Sequence, residues 1–528
     1  MRSPSVVATA LCALALPALA AALDPAAVRR LGAEGSEEKL AAVRQLVADG
    51  DPAATPVLQA LSEGTLALAG ERVVRPVEGR TVDAATGEAI DPPPADAATI
   101  DVNNRVRREV ETGLAALRLL DPAREVRRAA AEELAGAASP ELAPLLGRAL
   151  ARERDPATRA LLALAHARAS LESPDPAARA AAATDLGASA SSAVRALLAR
   201  HAGEEEPDAA VRRAAAASLA AVDRRLALGE YAGRLFSGIS LASILLLAAL
   251  GLAITYGVMG VINMAHGELL MIGAYATFAV QSVFARRFPG ALDWYVAAAI
   301  PVAFLAAAVV GMAMERTVIR FLYGRPLETL LATWGLSLVL IQAVRSLFGP
   351  QNVAVANPSW MSGGFELMPD VVLPWNRIAI VGFSACVLAL VWLFIGRTRL
   401  GMFVRAVTQD RVMAGCTGVP TGRVDTLAFG LGAGIAGLGG VALSQIANVG
   451  PEMGQAYCVD SFLVVVLGGV GQLAGAVWAA LGLGLVTKLL EGWSGAVIAK
   501  IAVLVLVVVF IQKRPQGIFA LKGRVVEG

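Results

Sequence analysis

The sequence predicts an all-α protein in two parts, an exported stack of helices followed by a polytopic membrane half of about nine spans, one of them short or re-entrant. Three observations carry this. Apolar residue types make up 56% of the 528 residues and mean hydropathy is +0.60, too apolar for a soluble chain. That apolarity is concentrated beyond residue 235, in runs close to the ~20 residues that cross a bilayer as a helix. Ahead of it, residues 24–230 are rich in Ala, Arg and Leu and repeat one short phrase. The net charge of +2 gives no electrostatic basis for a nucleic-acid partner.

Residues 1–22 read as a secretory signal peptide. Arg2 supplies the positive charge, 6–16 the apolar segment, and Ala18-Leu19-Ala20 or Ala20-Ala21-Ala22 the cleavage site. The apolar segment is shorter than a membrane span. Cys12 follows Leu11, not the small residue of a lipoprotein cleavage box. Cys386, Cys416 and Cys458 lie in the membrane half, so residues 23–230 carry no disulfide framework. All three are expected as small core side chains.

Within 23–230 the phrase is Asp-Pro followed by Arg-Ala and Leu. Asp121-Pro122 leads to Arg127-Arg128-Ala129 and Leu134, and Asp155-Pro156 to Arg159-Ala160 and Leu164. Asp175-Pro176 leads to Arg179-Ala180 and Leu186, and Pro207-Asp208 to Arg212-Arg213-Ala214 and Leu219. Asp caps a helix N-terminus, Pro fits its first turn, and Ala and Leu form the packing face. The recurrence resembles HEAT repeats, an α-solenoid of stacked helix pairs, with residues 36–47 beginning the stack. Val73-Val74, Val77 and Thr81-Val82, punctuated by Gly79 and Gly87, predict a small β-hairpin insertion over 73–90, closed by Pro92-Pro93-Pro94. His166 and His201 stand apart from any ligand-spaced partner, so neither is a predicted metal ligand.

Lys and Arg orient the spans, because cytoplasmic loops are enriched in them. Residues 349–376 carry neither before Arg377 and are expected outside. Residues 397–423, with Arg397, Arg399, Arg405, Arg411 and Arg423, are expected inside, as are 315–326 and the basic tail 513–524. Spans at 236–262, 265–284, 294–314, 327–348, 377–395, 424–447, 459–470 (the short one), 474–490 and 497–512 satisfy these anchors. Arg286 and Arg287 are the exception. The path leaves 23–230 outside, as the signal peptide independently requires. Residues 432–437 have the glycine spacing of a dinucleotide fingerprint but no strand before them, so Gly430 and Gly434 are read as a helix-packing pair.

Asn263-Met264-Ala265-His266-Gly267-Glu268 interrupts the apolar pattern. Ionisable groups at membrane depth are costly and mark function, and non-helical backbone is tolerated there only where it is enclosed or lines a cavity. The topology puts this hexapeptide near the cytoplasmic end of the first span, as an inner-mouth break or gate. No Arg–carboxylate pair is evident within the spans. Thr255, Tyr256, Gln281, Gln342, Gln445 and Asn448 join Asn263, His266 and Glu268 as candidate pathway residues, with interhelical hydrogen bonding the alternative for each. No catalytic and no metal-ligating residue is predicted.

The order Gly251-Leu252, Tyr256-Gly257 and Gly260-Val261-Ile262, running into that hexapeptide, resembles the H-type permeases of branched-chain amino-acid ABC importers. Arg405-Ala406, Asp410, Ala414 and Gly418-Val419 match the same family. So do Val466-Leu467-Gly468-Gly469-Val470-Gly471, Gly475-Ala476 and Arg514-Pro515-Gln516-Gly517-Ile518-Phe519. The resemblance covers 235–522, and a signal peptide with a long exported domain ahead of the permease resembles the urea-transport members. It implies a non-catalytic, multi-pass subunit of the bacterial inner membrane, with a periplasmic N-terminal domain and a cytoplasmic C-terminus. It implies a second, M-type permease sharing the pore, two cytoplasmic ATPases that bind ATP and Mg2+, and a periplasmic substrate-binding protein.

The chain itself has no Gly-x-x-x-x-Gly-Lys-Ser/Thr phosphate loop, and no cofactor is expected in it. The resemblance makes 400–419 a cytoplasmic coupling helix. Met402, Phe403, Arg405, Ala406, Val407, Asp410, Met413, Ala414 and Gly418 are then its ATPase-contact positions, and Gly418 and Pro420 end it. Three functions stay open: import of urea or a small amide, import of a branched-chain or other amino acid, and a membrane-anchored helical-repeat scaffold that transports nothing.

Overall fold

The computed structural model describes residues 23–519 apart from 78–79, 93, 95–96, 138 and 369–370. The predicted signal peptide, 1–22, lies outside the described residues. The chain divides into two compact units, Met1–Leu226 and Ala227–Gly528.

The first unit begins with α1 (Pro25–Arg30), α2 (Ser36–Asp49) and α3 (Ala54–Ser62). Next come five short strands: β1 (Ala67–Ala69), β2 (Arg72–Val77), β3 (Arg80–Asp83), β4 (Ala89–Ile90) and β5 (Ala98–Thr99). Helices α4 (Asn104–Arg118), α5 (Arg124–Ala137), α6 (Ala143–Arg152), α7 (Pro156–Ser170), α8 (Pro176–Leu186) and α9 (Ser192–Ala202) follow, and then the start of α10 (Ala209–Met259).

Local chemistry sets the helix starts. Asp24 accepts from the Ala26 amide, Asp155 from Thr158 and Asp175 from Ala177, each with Pro next in the chain. The arginine of the repeated phrase adds something the spacing alone did not show. Arg127 Nη1 donates to the carbonyls of Asp121 and Pro122, at 3.1 and 2.9 Å. Arg179 does the same to Ser173 and Pro174, and Arg212 to Glu206 and Pro207. Each arginine fastens the loop that leads into its own helix.

The β insertion is larger than the hairpin the sequence predicts. The strands form one antiparallel sheet in the order β4-β3-β2-β1-β5, with Ala67 of β1 opposite both Val74 of β2 and Thr99 of β5. β1 is Ala-Leu-Ala and β5 is Ala-Thr. Such short, alanine-rich segments carry no two-residue periodicity, and only the sheet they complete selects them.

In the second unit α10 runs to Met259. It is followed by α11 (His266–Arg287), α12 (Tyr295–Thr317), α13 (Pro326–Phe348), the strand pair β6 (Gly364–Met368) and β7 (Val371–Pro374), and α14 (Trp375–Arg397). Then come α15 (Arg399–Gln409), α16 (Arg411–Cys416), α17 (Thr421–Ser444), α18 (Met453–Gly468), α19 (Leu473–Ser494) and α20 (Ala496–Lys513). Among the described residues eight helices are long and apolar enough to cross a membrane, and α18 is a shorter apolar helix. Each predicted span falls on one of these nine.

α17 is the centre of this unit, buried almost throughout. Its glycines let neighbouring backbones touch. Gly432 meets Gly251 of α10 and Gly437 meets Gly273 of α11, where an added Cβ would overlap a carbonyl oxygen; Gly430 and Gly434 receive Met312 and Phe304 of α12. The packing reading of these glycines therefore holds. The cysteine expectation is corrected: only Cys458 is buried, while Cys386 and Cys416 are exposed.

Candidate functional site

The chain leaves helix at Met259 and re-enters it at His266. Gly260 turns with φ +65°, a conformation that favours glycine. Hydrogen bonds hold the end of this break and the first turn of α11. Asn263 Oδ1 accepts the Ala265 amide at 3.0 Å, and Thr333 Oγ1 of α13 accepts the Met264 amide at 3.1 Å. The Cys458 thiol of α18 donates to the Met264 carbonyl. His266 Nε2 lies 2.9 Å from the Ala248 carbonyl of α10, so that nitrogen carries the proton. The Ser337 hydroxyl of α13 donates to Glu268 Oε1. Gly267 and Gly454 pack backbone on backbone.

This geometry corrects the inner-mouth placement. Ser337 is the twelfth of the 23 residues of α13. Gly432, packed on Gly251 beside His266, is the twelfth of the 24 residues of α17. The hexapeptide is therefore level with the midpoints of two long apolar helices. Counting crossings gives the side on which a span ends; it does not give the depth at which an interrupted helix restarts. Asn263, His266 and Glu268 are all buried. Asn263 Nδ2, His266 Nδ1 and Glu268 Oε2 have no hydrogen-bond partner among the described residues, and neither does the Tyr275 hydroxyl. Buried polar atoms without partners are uncommon and call for a ligand, water or a moving neighbour.

The other candidates separate into groups. Thr255 is buried and donates back to its own helix at Gly251 and Leu252. Tyr256 stacks edge-on against Phe462. Gln281 donates to the Ala356 carbonyl, and the Tyr295 hydroxyl bridges Ala356 and Gln445. Gln281 and Gln445 thus tie helix ends to the loop after α13 and stand apart from the hexapeptide. Gln342 and Asn448 are exposed and join neither group.

The predicted coupling helix is two helices. Asp410 adopts an extended conformation and accepts the Met413 amide as N-cap of α16, which ends the first helix and starts the second. The predicted contact face divides as well. Val407 and Ala414 are buried, and Phe403 and Ala406 pack against the membrane unit's core. Met402, Arg405, Val412 and Met413 are exposed. Gly418 has φ +89°, as expected where the segment turns towards α17.

Two charged clusters escaped the sequence reading. Arg411 pairs with Asp425 of α17 and lies over the Tyr323 ring at 4.8 Å. The Tyr323 hydroxyl donates to Glu315 at 3.0 Å, and Thr426 donates to the other oxygen of Glu315 at 2.7 Å. Within the apolar helices, Lys500 of α20 pairs with Asp460 of α18 at 3.3 Å. A cation–carboxylate pair among the spans therefore exists, formed by Lys and not by Arg. Among the described residues no group of His, Cys, Asp and Glu could hold a metal ion.

Comparison with known proteins agrees with this architecture. The profile of the family described as "Branched-chain amino acid transport system / permease component" matches residues 234–512. The high-affinity branched-chain amino acid transport system permease protein LivH of Salmonella typhimurium is 30% identical over 290 residues, 54% of this chain and 94% of its own length. LivH of Escherichia coli has the same identity and coverage. BraD of Pseudomonas aeruginosa, of like description, is 29% identical over 55% of this chain and 95% of its own length. No solved structure matches. The chain thus belongs to the family of branched-chain amino acid transport system permease components, as a multi-pass, non-catalytic membrane transport subunit.

Proposed function

We propose that the chain is one of two pore-forming permeases of an ATP-driven importer of branched-chain amino acids. One observation carries the reading: proteins named for that transport align over 94% of their length, and the family match takes in α11 to α19 entire. A second permease, two cytoplasmic ATPases binding ATP and Mg2+, and a periplasmic binding protein complete the importer, and this chain holds no cofactor. Residues 1–22 act as a signal peptide, 23–230 form a periplasmic HEAT-like repeat domain, and the C-terminus is cytoplasmic in the bacterial inner membrane. The shared loop-fastening arrangement of Arg127, Arg179 and Arg212 supports the repeat. The arginines of 397–423 support the orientation. The break at 260–265 is the gate, with Asn263, His266 and Glu268 facing the pathway and Thr255 and Tyr256 on the helix that leads to it. The exposed residues of α15 and α16 contact the ATPases.

A second reading is import of urea or a small amide. It is favoured by residues 23–226, which form a compact unit of their own ahead of the matched region at 234–512. Uptake of labelled leucine and labelled urea by a strain lacking this chain separates the readings. The amino-acid reading expects leucine uptake at low external concentration to fall at least about tenfold with urea uptake unchanged. The opposite pattern establishes the second reading, and no change in either leaves the scaffold.

A further inference from the structure

Helices α10, α18, α19 and α20 line a cavity of about 410 Å3 that opens to the surface, where the Lys500 side chain is more than half exposed. Leu241, Leu245, Leu463, Leu483, Val503 and Leu504 form its apolar walls. Two ion pairs also line it: Asp460 with Lys500 at 3.3 Å, and Lys488 with Glu491 at 2.7 Å. Asp460 is the eighth of the 16 residues of α18, so its carboxylate stands half-way along an apolar helix. None of the four is sealed off, and the Asp460 side chain is a quarter exposed.

Charges in membrane helices are expensive and are retained where they face a pathway or a ligand. As structural pairs alone these would add little, because desolvation offsets the attraction. As a lining they are specific. Two carboxylates and two ammonium groups sum to zero charge and can exchange partners with a ligand that carries one of each. The apolar walls then take an aliphatic tail, and the volume is that of a small-molecule site. A neutral amide such as urea has no charges to exchange with either pair.

We infer that this cavity binds an α-amino acid with an aliphatic side chain, its ammonium group on Asp460 and its carboxylate on Lys500. The inference rests on the amino-acid reading above and deepens it by naming the residues that hold the zwitterion. The same chemistry, an ammonium and an anion bearing an apolar tail, occurs in a phosphatidylethanolamine headgroup, and the test separates the two.

The test uses the complete importer with its binding protein, reconstituted in vesicles of phosphatidylglycerol with or without phosphatidylethanolamine. Labelled leucine uptake and basal ATP hydrolysis are measured for the wild type, Asp460→Asn, Lys500→Gln and Leu483→Phe, which narrows the cavity without touching a charge. The cavity assignment expects all three variants to lose at least about tenfold in leucine uptake in both lipids, with basal hydrolysis retained. Should a charge variant fail to assemble, Leu483→Phe decides alone. Uptake equal to wild type in the assembled variants overturns the assignment. A defect confined to vesicles containing phosphatidylethanolamine also overturns it and makes the cavity a headgroup site. If the wild type itself takes up no leucine, the amino-acid reading falls and takes this site with it. Leucine uptake by the wild type with unaffected variants removes the cavity assignment alone.

Discussion

The guanidinium of Arg411 closes on Asp425, a carboxylate with none of its surface exposed. Arg411 begins α16 and Asp425 lies in the first turns of α17. Tyr323 extends the contact, its hydroxyl 3.0 Å from both Glu315 of α12 and the sulfur of Met259, the last residue of α10. The segment proposed to meet the ATPases is thus joined side chain by side chain to the helix end from which the 260–265 break departs. Replacing Arg411 with Met strands the Asp425 charge. Because half-exposed Arg411 leaves water able to compensate in part, the expected cost is about 1–3 kcal/mol, below the usual cost of breaking a buried pair. Thermal unfolding in detergent measures it, and Arg411→Met with Asp425→Asn should recover part of the loss.

Helix contact through glycine gives a sharper contrast. A Cβ on Gly251 would overlap the Gly432 carbonyl, whereas Gly382 on α14 has nothing within 4 Å. Gly251→Ala should destabilise the membrane unit by about 1–3 kcal/mol or more through overpacking. Gly382→Ala should leave it unchanged within about 1 kcal/mol. Comparable melting of the two variants would contradict the close packing of α10 on α17.

Two carboxylates of the first unit make its stability pH-dependent. The Arg127 guanidinium holds the Glu153 carboxyl down to about 2, helped by the Asp155 and Arg154 amides. Glu206 also lies at about 2: burial pushes it up, and the Arg179 and His201 hydrogen bonds more than offset that. Both values lie below those of the unfolded chain. The stabilisation is therefore complete above the ordinary Glu range and is lost as pH falls from about 5 towards 2. Thermal unfolding of the full chain should show that loss, and Glu153→Gln should flatten it while costing about 1–3 kcal/mol at neutral pH.

The division of the proposed coupling segment into α15 and α16 predicts two kinds of failure. Met402→Asp with Met413→Asp alters exposed positions and should release the ATPases on purification with stability within about 0.5 kcal/mol of wild type. Phe403→Asp with Ala406→Asp puts charge against the core and should destabilise the permease itself. ATPases retained by the first variant would place the docking surface elsewhere.

What could be read from the residues was local or periodic. Apolar runs located the nine apolar helices found among the described residues, and Asp155-Pro156 and Asp175-Pro176 marked helix starts because capping acts within three residues. Asp410 is a cap of the same kind, hidden by an apolar pattern that reads through it as one helix. The pairs Asp460–Lys500 and Glu315–Thr426 could not be read, since partners 40 and 111 residues apart meet only through helix packing. The hexapeptide was visible as an interruption. Its depth was not, because it depends on where α13 and α17 pass beside it.

ATP-dependent accumulation tests the central claim most directly. The complete importer is reconstituted in vesicles with ATP on the side of the ATPases, and labelled leucine is followed with its binding protein present. The account predicts accumulation of leucine above its supplied concentration, only with ATP and only when this chain is present. Equilibration without ATP, or accumulation of labelled urea but not leucine, would contradict it.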